Sequence, residues 1–255
     1  MTSSLDLLAV DIGNSNATFA IMRDRQARQT FDLPSNSSPE ELHAELRSRL
    51  TAQELKLPGV IASVNPRACS AIETALRRCG VHELAVLGRD YKVPIDNRTA
   101  MPDQVGQDRL VNALAATRHS QGQAIVVDFG TAITFDVLKD GAYCGGVITP
   151  GIGLAMEALH QRTALLPLVK PQGKPPILGR DTVSAINAGV FYGYIGLVRN
   201  IIGELHTVFE SKPRVLATGG YGNYIAPHIP EIEESLPHLT HEGIALSHFL
   251  RPARP

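Results

Sequence analysis

The chain has 255 residues, enough for one large domain or two lobes around a sizeable core. With 44% hydrophobic and 19% charged residues and a formal net charge of −1, it offers no electrostatic case for nucleic acid or an anionic membrane as main partner. Its 3 cysteines, Cys69, Cys79 and Cys144, are odd in number and lack C-x-x-C spacing, which points to reduced thiols and away from a disulfide framework or a zinc site.

The N-terminus has no basic leader, and its apolar run stops at Asp11, too early for a signal peptide. "GVFYGYIGLVRNIIG" comes nearest to a membrane span and carries Arg199, so a cytoplasmic protein is expected. "LDLLAV" and "NATFAIM" read as a β-hairpin around the Asp11 turn, with a further strand near Phe31. "SSPEELHAELRSRL" has a serine cap, Pro39 in the first turn and early acids, the chemistry of a helix start. "PGVIASV" predicts a short buried strand, and "PRACSAIETALRRCG" a helix closed by Gly80. "ELAVLG" is followed by a polar loop from about Arg89 to Gln104, and "DRLVNALAATRHS" by its spacing is an amphipathic helix beginning at Asp108.

The second half starts over. "QAIVVDFGTAITFDVL" is again strand, turn, strand, and "YCGGVITPGIG" adds another strand. "GLAMEALHQRT" predicts a helix, "PLVKPQGKPPILGRD" a proline-rich loop, Thr182 to Phe209 a long helical stretch, and "RVLATGGYG" a strand ending in a glycine turn. The halves share V-D-x-G-[NT] before a strand, with Asp11 matching Asp128 and Gly13 matching Gly130. That suggests a duplication into two lobes, residues 1–120 and 121–255, and excludes a solenoid because the period is far too long.

No GxxxxGK[ST], full dinucleotide fingerprint or HExxH is present. What remains is the repeated strand–Asp–x–Gly–polar turn. The glycine lets backbone amides approach an anion, while Asn14, Ser15, Asn16, Thr131 and Thr134 offer side-chain donors. The aspartates would hold a cation or water that touches phosphate. A plain alternative is that each Asp caps a hairpin turn, but two such turns favour a phosphate site. In "VGQDRLVNA", Asp108 and Arg109 open a helix, either as cap and surface charge or as base and carboxylate clamp.

Taken in order, "DIGNSN", "ASVNP", "VGQDRLVNA", "VDFGTAITFD", "GGVITPGIGLAMEALHQRTALLPLV", "DTVSAINAGVFYG" and "ATGGYG" resemble the type III pantothenate kinases, from Asp11 to about Gly243. The resemblance implies an actin-like (ASKHA) α/β fold of two RNase H-like lobes with mixed sheets flanked by helices. It implies phosphorylation of pantothenate by ATP, the first committed step of coenzyme A synthesis, by a homodimer needing Mg²⁺ and a monovalent cation, K⁺ or NH₄⁺. By the same resemblance, Asp11, Ile12, Gly13, Asn14, Ser15, Asn16, Ala17 and Thr18 form the first ATP phosphate loop. Asp108 matches the catalytic base, and Gly106, Gln107 and Arg109 its pantothenate-binding companions. Asp128 falls on the monovalent-cation aspartate, Thr131 on an ATP contact, and Thr182 on a pantothenate contact.

Two positions depart from the family. Ser15 replaces a usual threonine and keeps its hydroxyl; Thr99 stands where a tyrosine often contacts pantothenate, the nearest tyrosine being Tyr91. Thr99 leaves open an actin-like kinase for another small metabolite, beside a non-catalytic nucleotide-binding regulator on the same fold.

Overall fold

The computed structural model describes residues 6–24 and 26–251, which form two compact units: 6–118 with 238–251, and 119–237. Leu5, expected in the first strand, lies outside the described residues.

In the first unit, β1 (Leu7–Ile12) and β2 (Asn16–Arg23) form the expected hairpin, and β3 (Gln26–Pro34) extends it antiparallel. On the other edge of β1, β4 (Gly59–Ser63) and β5 (Leu84–Val86) add in parallel, giving the order β3-β2-β1-β4-β5. Helix α1 (Pro39–Arg49) begins where the sequence places it, because a capping box closes its first turn. The Ser38 amide donates to Glu41 Oε2 at 2.8 Å, and the Glu41 amide to Ser38 Oγ at 3.3 Å. Helix α2 (Pro66–Cys79) is capped by Asn65 and ends at Gly80, whose φ of 104° is the left-handed stop.

Side chains alternate across β1. Leu8, Val10 and Ile12 enter one core with Phe19, Leu42, Leu46, Ile72 and Leu76, under α1 and α2. Leu7, Ala9 and Asp11 therefore face the opposite side, which α7 (Leu239–Phe249) covers by packing on β1, β2, β3 and β4. This corrects the expected division: a second lobe that took in α7 would leave that face bare, whereas residues 238–251 belong to the first unit. Helix α3 (Gln107–His119) meets α7 at close quarters. Thr240 Oγ1 donates to Asn112 Oδ1 at 2.9 Å, and the Gly243 backbone lies directly on the Val111 carbonyl.

The second unit repeats the plan. β6 (Ala124–Phe129) and β7 (Ala132–Lys139) make a hairpin extended by β8 (Ala142–Pro150), while β9 (Arg214–Thr218) and the short β10 (Glu234–Ser235) add in parallel, for the order β10-β9-β6-β7-β8. The first three strands have 6, 8 and 9 residues in both units. Register shifts fall at Ile21/Met22 and Val137/Leu138, and Asp24 and Asp140 take positive φ (48° and 52°) in the turns that follow. Helices α4 (Ile152–Arg162) and α5 (Thr182–His206) cover the core built on Ile125, Val127, Phe129, Ile133 and Phe135. A one-turn α6 (Gly222–Ile225) follows β9. No helix among the described residues is long and apolar enough to cross a membrane, and Cys69, Cys79 and Cys144 are free thiols.

A Cβ at Gly243 has no room beside the Val111 carbonyl, so Gly243→Ala should destabilise the protein by about 1–3 kcal/mol, the usual range for overpacking. Urea unfolding checks this as a lowered midpoint.

Candidate active site

Asp11 sits one residue before the end of β1, paired with Ala62 of β4 on one side and Thr18 of β2 on the other. The carboxyl ends of parallel strands in an open α/β sheet are where such sheets bind ligands. The turn that follows is tied down from within: the Gly13 amide donates to the Asn16 carbonyl at 3.0 Å. From β3's end, the Ser35 hydroxyl donates to the Gly13 carbonyl at 2.8 Å and the Ser35 amide to the Ser15 carbonyl at 2.9 Å. With Asn14, Ser15 and Asn16 exposed and Asp11 half-buried, the turn offers a rigid polar rim above a dry sheet. Ser35 was not found from the sequence, since it stands 22 residues from the glycine it holds. The Thr18 hydroxyl donates to Asp32 Oδ1 at 2.6 Å, turning that side chain along the sheet.

The same strand ends carry the second constellation. The Val64 amide donates to the Ile12 carbonyl at 3.1 Å, and Gly106, just before α3, lies against Val64. A Cβ on Gly106 would collide with the Asp108 carboxylate, so the glycine lets that side chain fold back over the helix start. Helix α3 begins at Gln107, one residue earlier than the spacing predicts. Asp108 Oδ1 accepts from the Arg109 amide at 2.8 Å. Burial pushes the Asp108 carboxyl above the usual carboxylate range, and the Arg109 amide and positive charge pull partly back. Gln107 lays its amide against Gly88, and its Oε1 is buried with no donor among the described residues.

Thr99 lies in this unit, in the polar loop. Its amide and hydroxyl both donate to Asn97 Oδ1, at 3.1 and 2.8 Å, making a local turn. Tyr91 is held by the C-terminal helix: its hydroxyl is buried beside Ser247, with the Arg251 guanidinium 6.0 Å over the ring.

In the second unit, Asp128 occupies the position of Asp11, paired with Thr134 of β7 and Thr218 of β9. Its turn is one residue shorter, closed by the Gly130 amide on the Ala132 carbonyl at 3.1 Å. Gly219, with φ of 89°, brings the backbone after β9 against the Asp128 carboxylate, where a Cβ would not fit. The Tyr221 amide then donates to the Phe129 carbonyl at 3.0 Å. Thr131 is exposed, and its carbonyl accepts from the Gly151 amide at 3.0 Å. Thr134, expected as a donor at the turn, instead donates to the buried Asp136 at 3.0 Å, because its side chain shares Asp136's face of β7.

Thr182 is the first residue of α5, behind the Asp181 cap, on a groove of about 890 Å³ whose other walls include Leu159, Leu166, Ile186, Gly189 and Gly193. Thus the structure gathers Asp11, the polar turn, Gly106, Gln107 and Asp108 at adjoining strand ends of one unit, and places Asp128, Thr131 and Thr182 in the other. No cluster of three or more His, Cys, Asp or Glu side chains able to hold a metal occurs among the described residues.

The model of the type III pantothenate kinase family matches residues 7–204. The type III pantothenate kinase of Geotalea uraniireducens is 37% identical over 248 residues, 94% of this chain and 96% of that protein. That of Paramagnetospirillum magneticum is 38% identical over 250 residues, 95% of this chain and 96% of its counterpart. Among solved structures, a Campylobacter jejuni protein described as a Baf family transcriptional activator superposes with a TM-score of 0.62 at 21% identity, covering 94% of this chain and 96% of that one. The inorganic polyphosphate/ATP-glucomannokinase of an Arthrobacter strain gives 0.51 at 15% identity, over 96% and 98%. The fold is the actin-like one, with two mixed sheets flanked by helices. By its sequence from the Asp11 turn through α5, the chain belongs to the type III pantothenate kinase family.

Proposed function

We propose that the protein transfers the γ-phosphoryl group of ATP to the primary hydroxyl of pantothenate, the first step of coenzyme A biosynthesis. The observation that carries this reading is Asp108, a desolvated carboxylate at a helix start beside the strand ends that bear the Asp11 turn. Phosphoryl transfer asks the protein mainly for positioning and charge neutralisation. Arg109 holds the pantothenate carboxylate, and the orphaned Gln107 Oε1 takes one of its N–H or O–H donors. Asp108 orients the attacking hydroxyl and accepts its proton as the bond to phosphorus forms. Thr99, fixed on Asn97, takes the tyrosine's place at the pantothenate end only as a small half-buried wall.

The turn from Asp11 to Thr18 takes the nucleotide phosphates, with Asp11 the carboxylate for a phosphate-bound Mg²⁺. A site with fewer than three such side chains fits this ion, which keeps most of its ligands from water and phosphate. Mg²⁺ there neutralises phosphate charge. Asp128 gives the second unit a hard oxygen donor suited to K⁺ or NH₄⁺, and Thr131 contributes an ATP contact.

We propose further that the protein is a homodimer through the α4–α5 groove. Gly189, Gly193 and Gly196 leave open space where Cβ atoms would stand, although each glycine weakens a helix by about 1 kcal/mol against alanine. On the segment that joins α4 to α5, Leu165 (91% exposed), Ile177 and Leu178 (72%) lie bare. A second copy crossing this glycine face would cover both.

ADP release by the purified protein should require both Mg·ATP and pantothenate, and should rise with K⁺ and stay low in Na⁺. Pantothenate-independent ADP release would exclude pantothenate as the acceptor, and indifference to the two ions would remove Asp128 from cation binding. Asp108→Asn should lower turnover by roughly 10²–10⁴-fold, the usual worth of general-base help. Its stability should move the other way. A carboxyl whose pKa is raised on folding costs stability as pH rises from its unfolded value through its folded one, so at neutral pH the amide should melt no lower than the parent. A Gly193→Glu variant should sediment as a monomer while keeping its fold, since that position opens outward.

A further inference from the structure

His241 is a buried titratable group without a part in the reaction as described so far. Asp11, Thr18 and Asp32 are direct cross-strand partners on β1, β2 and β3, so the three side chains form a row on the face of the first sheet that α7 covers. His241, fully enclosed on α7, reaches this row: its Nε2 lies 3.2 Å from the Thr18 carbonyl oxygen. That oxygen can only accept, so Nε2 carries the proton. Nδ1 is buried with no partner among the described residues and keeps its lone pair. The same turn of α7 grips the helix that bears Asp108, through Thr240 on Asn112 and Gly243 on Val111. Helix α7 is thereby fastened at once to the strand leaving the phosphate turn and to the helix of the base.

We propose that His241 is a positioning residue for phosphoryl transfer, whose bond to the Thr18 carbonyl sets the height of β2 and hence of the Asp11 turn against α3. The proposal rests on the assignment of that turn to the nucleotide phosphates. The Nε2–H that makes this bond is present in either protonation state, and it is the enclosed surroundings that keep the ring neutral. Burial, helped by the nearby His238 with its ring 6.3 Å away, holds the pKa down to about 4, against upward pulls from the Thr18 carbonyl and, more weakly, from Asp32. Asp11 of β1 is the other carboxylate of the row, and β4 brings no titratable side chain. An imidazolium would instead bury a second N–H with nothing to receive it.

The test is Mg·ATP binding by calorimetry on the full chain, with steady-state kinetics alongside. His241→Leu keeps the bulk and loses the donor; His241→Gln places an amide N–H where Nε2 stood. The leucine variant should bind Mg·ATP about tenfold more weakly, the scale of one hydrogen bond. Its KM for pantothenate should stay within about twofold, and glutamine should restore nucleotide affinity. Leucine and parent binding alike, or glutamine failing as leucine does, would overturn the proposal. If the leucine variant does not fold, the imidazole nitrogen spectrum of the parent decides. An Nε2–H tautomer that shifts on adding Mg·ATP supports the role, and an Nδ1–H tautomer or an unresponsive ring overturns it. A parent chain that binds no Mg·ATP would instead remove the phosphate assignment, and the proposal with it.

Discussion

A carboxylate is costly wherever it leaves water, and this chain twice puts one at the end of a strand whose preceding residues are wholly buried. Leu7 to Val10 precede Asp11, and Ala124 to Val127 precede Asp128, all at 0% exposure. The arrangement is tolerable only if the strand stops there and the chain turns at once, which the glycines at 13 and 130 allow. From that follow the antiparallel return, the pairing of each aspartate with a parallel neighbour, and the gathering of polar groups at one end of each sheet. The matched strand lengths and register shifts of the two units show how little freedom remained once the carboxylate was placed.

The repeats have nevertheless diverged where their duties differ. In the first unit the turn is one residue longer and is clamped by Ser35, which suits a loop that must present several polar side chains in a fixed array. In the second the turn is shorter, and the backbone after β9 is pressed against the carboxylate by Gly219. Asp128 thus has backbone packed close against it where the turn after Asp11 presents an exposed polar rim.

Local rules made much of this legible. The capping box of α1, the asparagine and glycine at the ends of α2 and the alternation in β1, β2, β6 and β7 act within a few residues, and the structure keeps them. Helix α7 was not legible: eight of its residues are buried, including Thr240, His241 and Ser247, so it has no polar stripe to reveal a helical period. Missing it carried the second lobe too far toward the C-terminus. The contacts that shape the site were hidden for a related reason. Gln107 against Gly88, Ser35 on Gly13 and His241 on Thr18 join residues distant in sequence, and no spacing announces them. Thr134 misled because its type fits a phosphate donor, while its strand face assigns it to Asp136.

On the proposed reading, the chemistry turns on how far Asp108 is desolvated. Removing water raises proton affinity, which helps a base that must take a proton late in a loose transition state. Carried further, the same burial would leave the carboxyl protonated at neutral pH, able to donate a hydrogen bond but not to accept the hydroxyl proton. The Arg109 amide on Oδ1 and the guanidinium charge beside it work against that outcome, since both favour the ionised form. Arg109 thus acts on the carboxyl twice from the start of the helix, through its backbone amide and through its charge. On the proposed reading, a carboxylate substrate that drew the guanidinium charge away from Asp108 would raise the affinity of that carboxyl for a proton as the hydroxyl arrives.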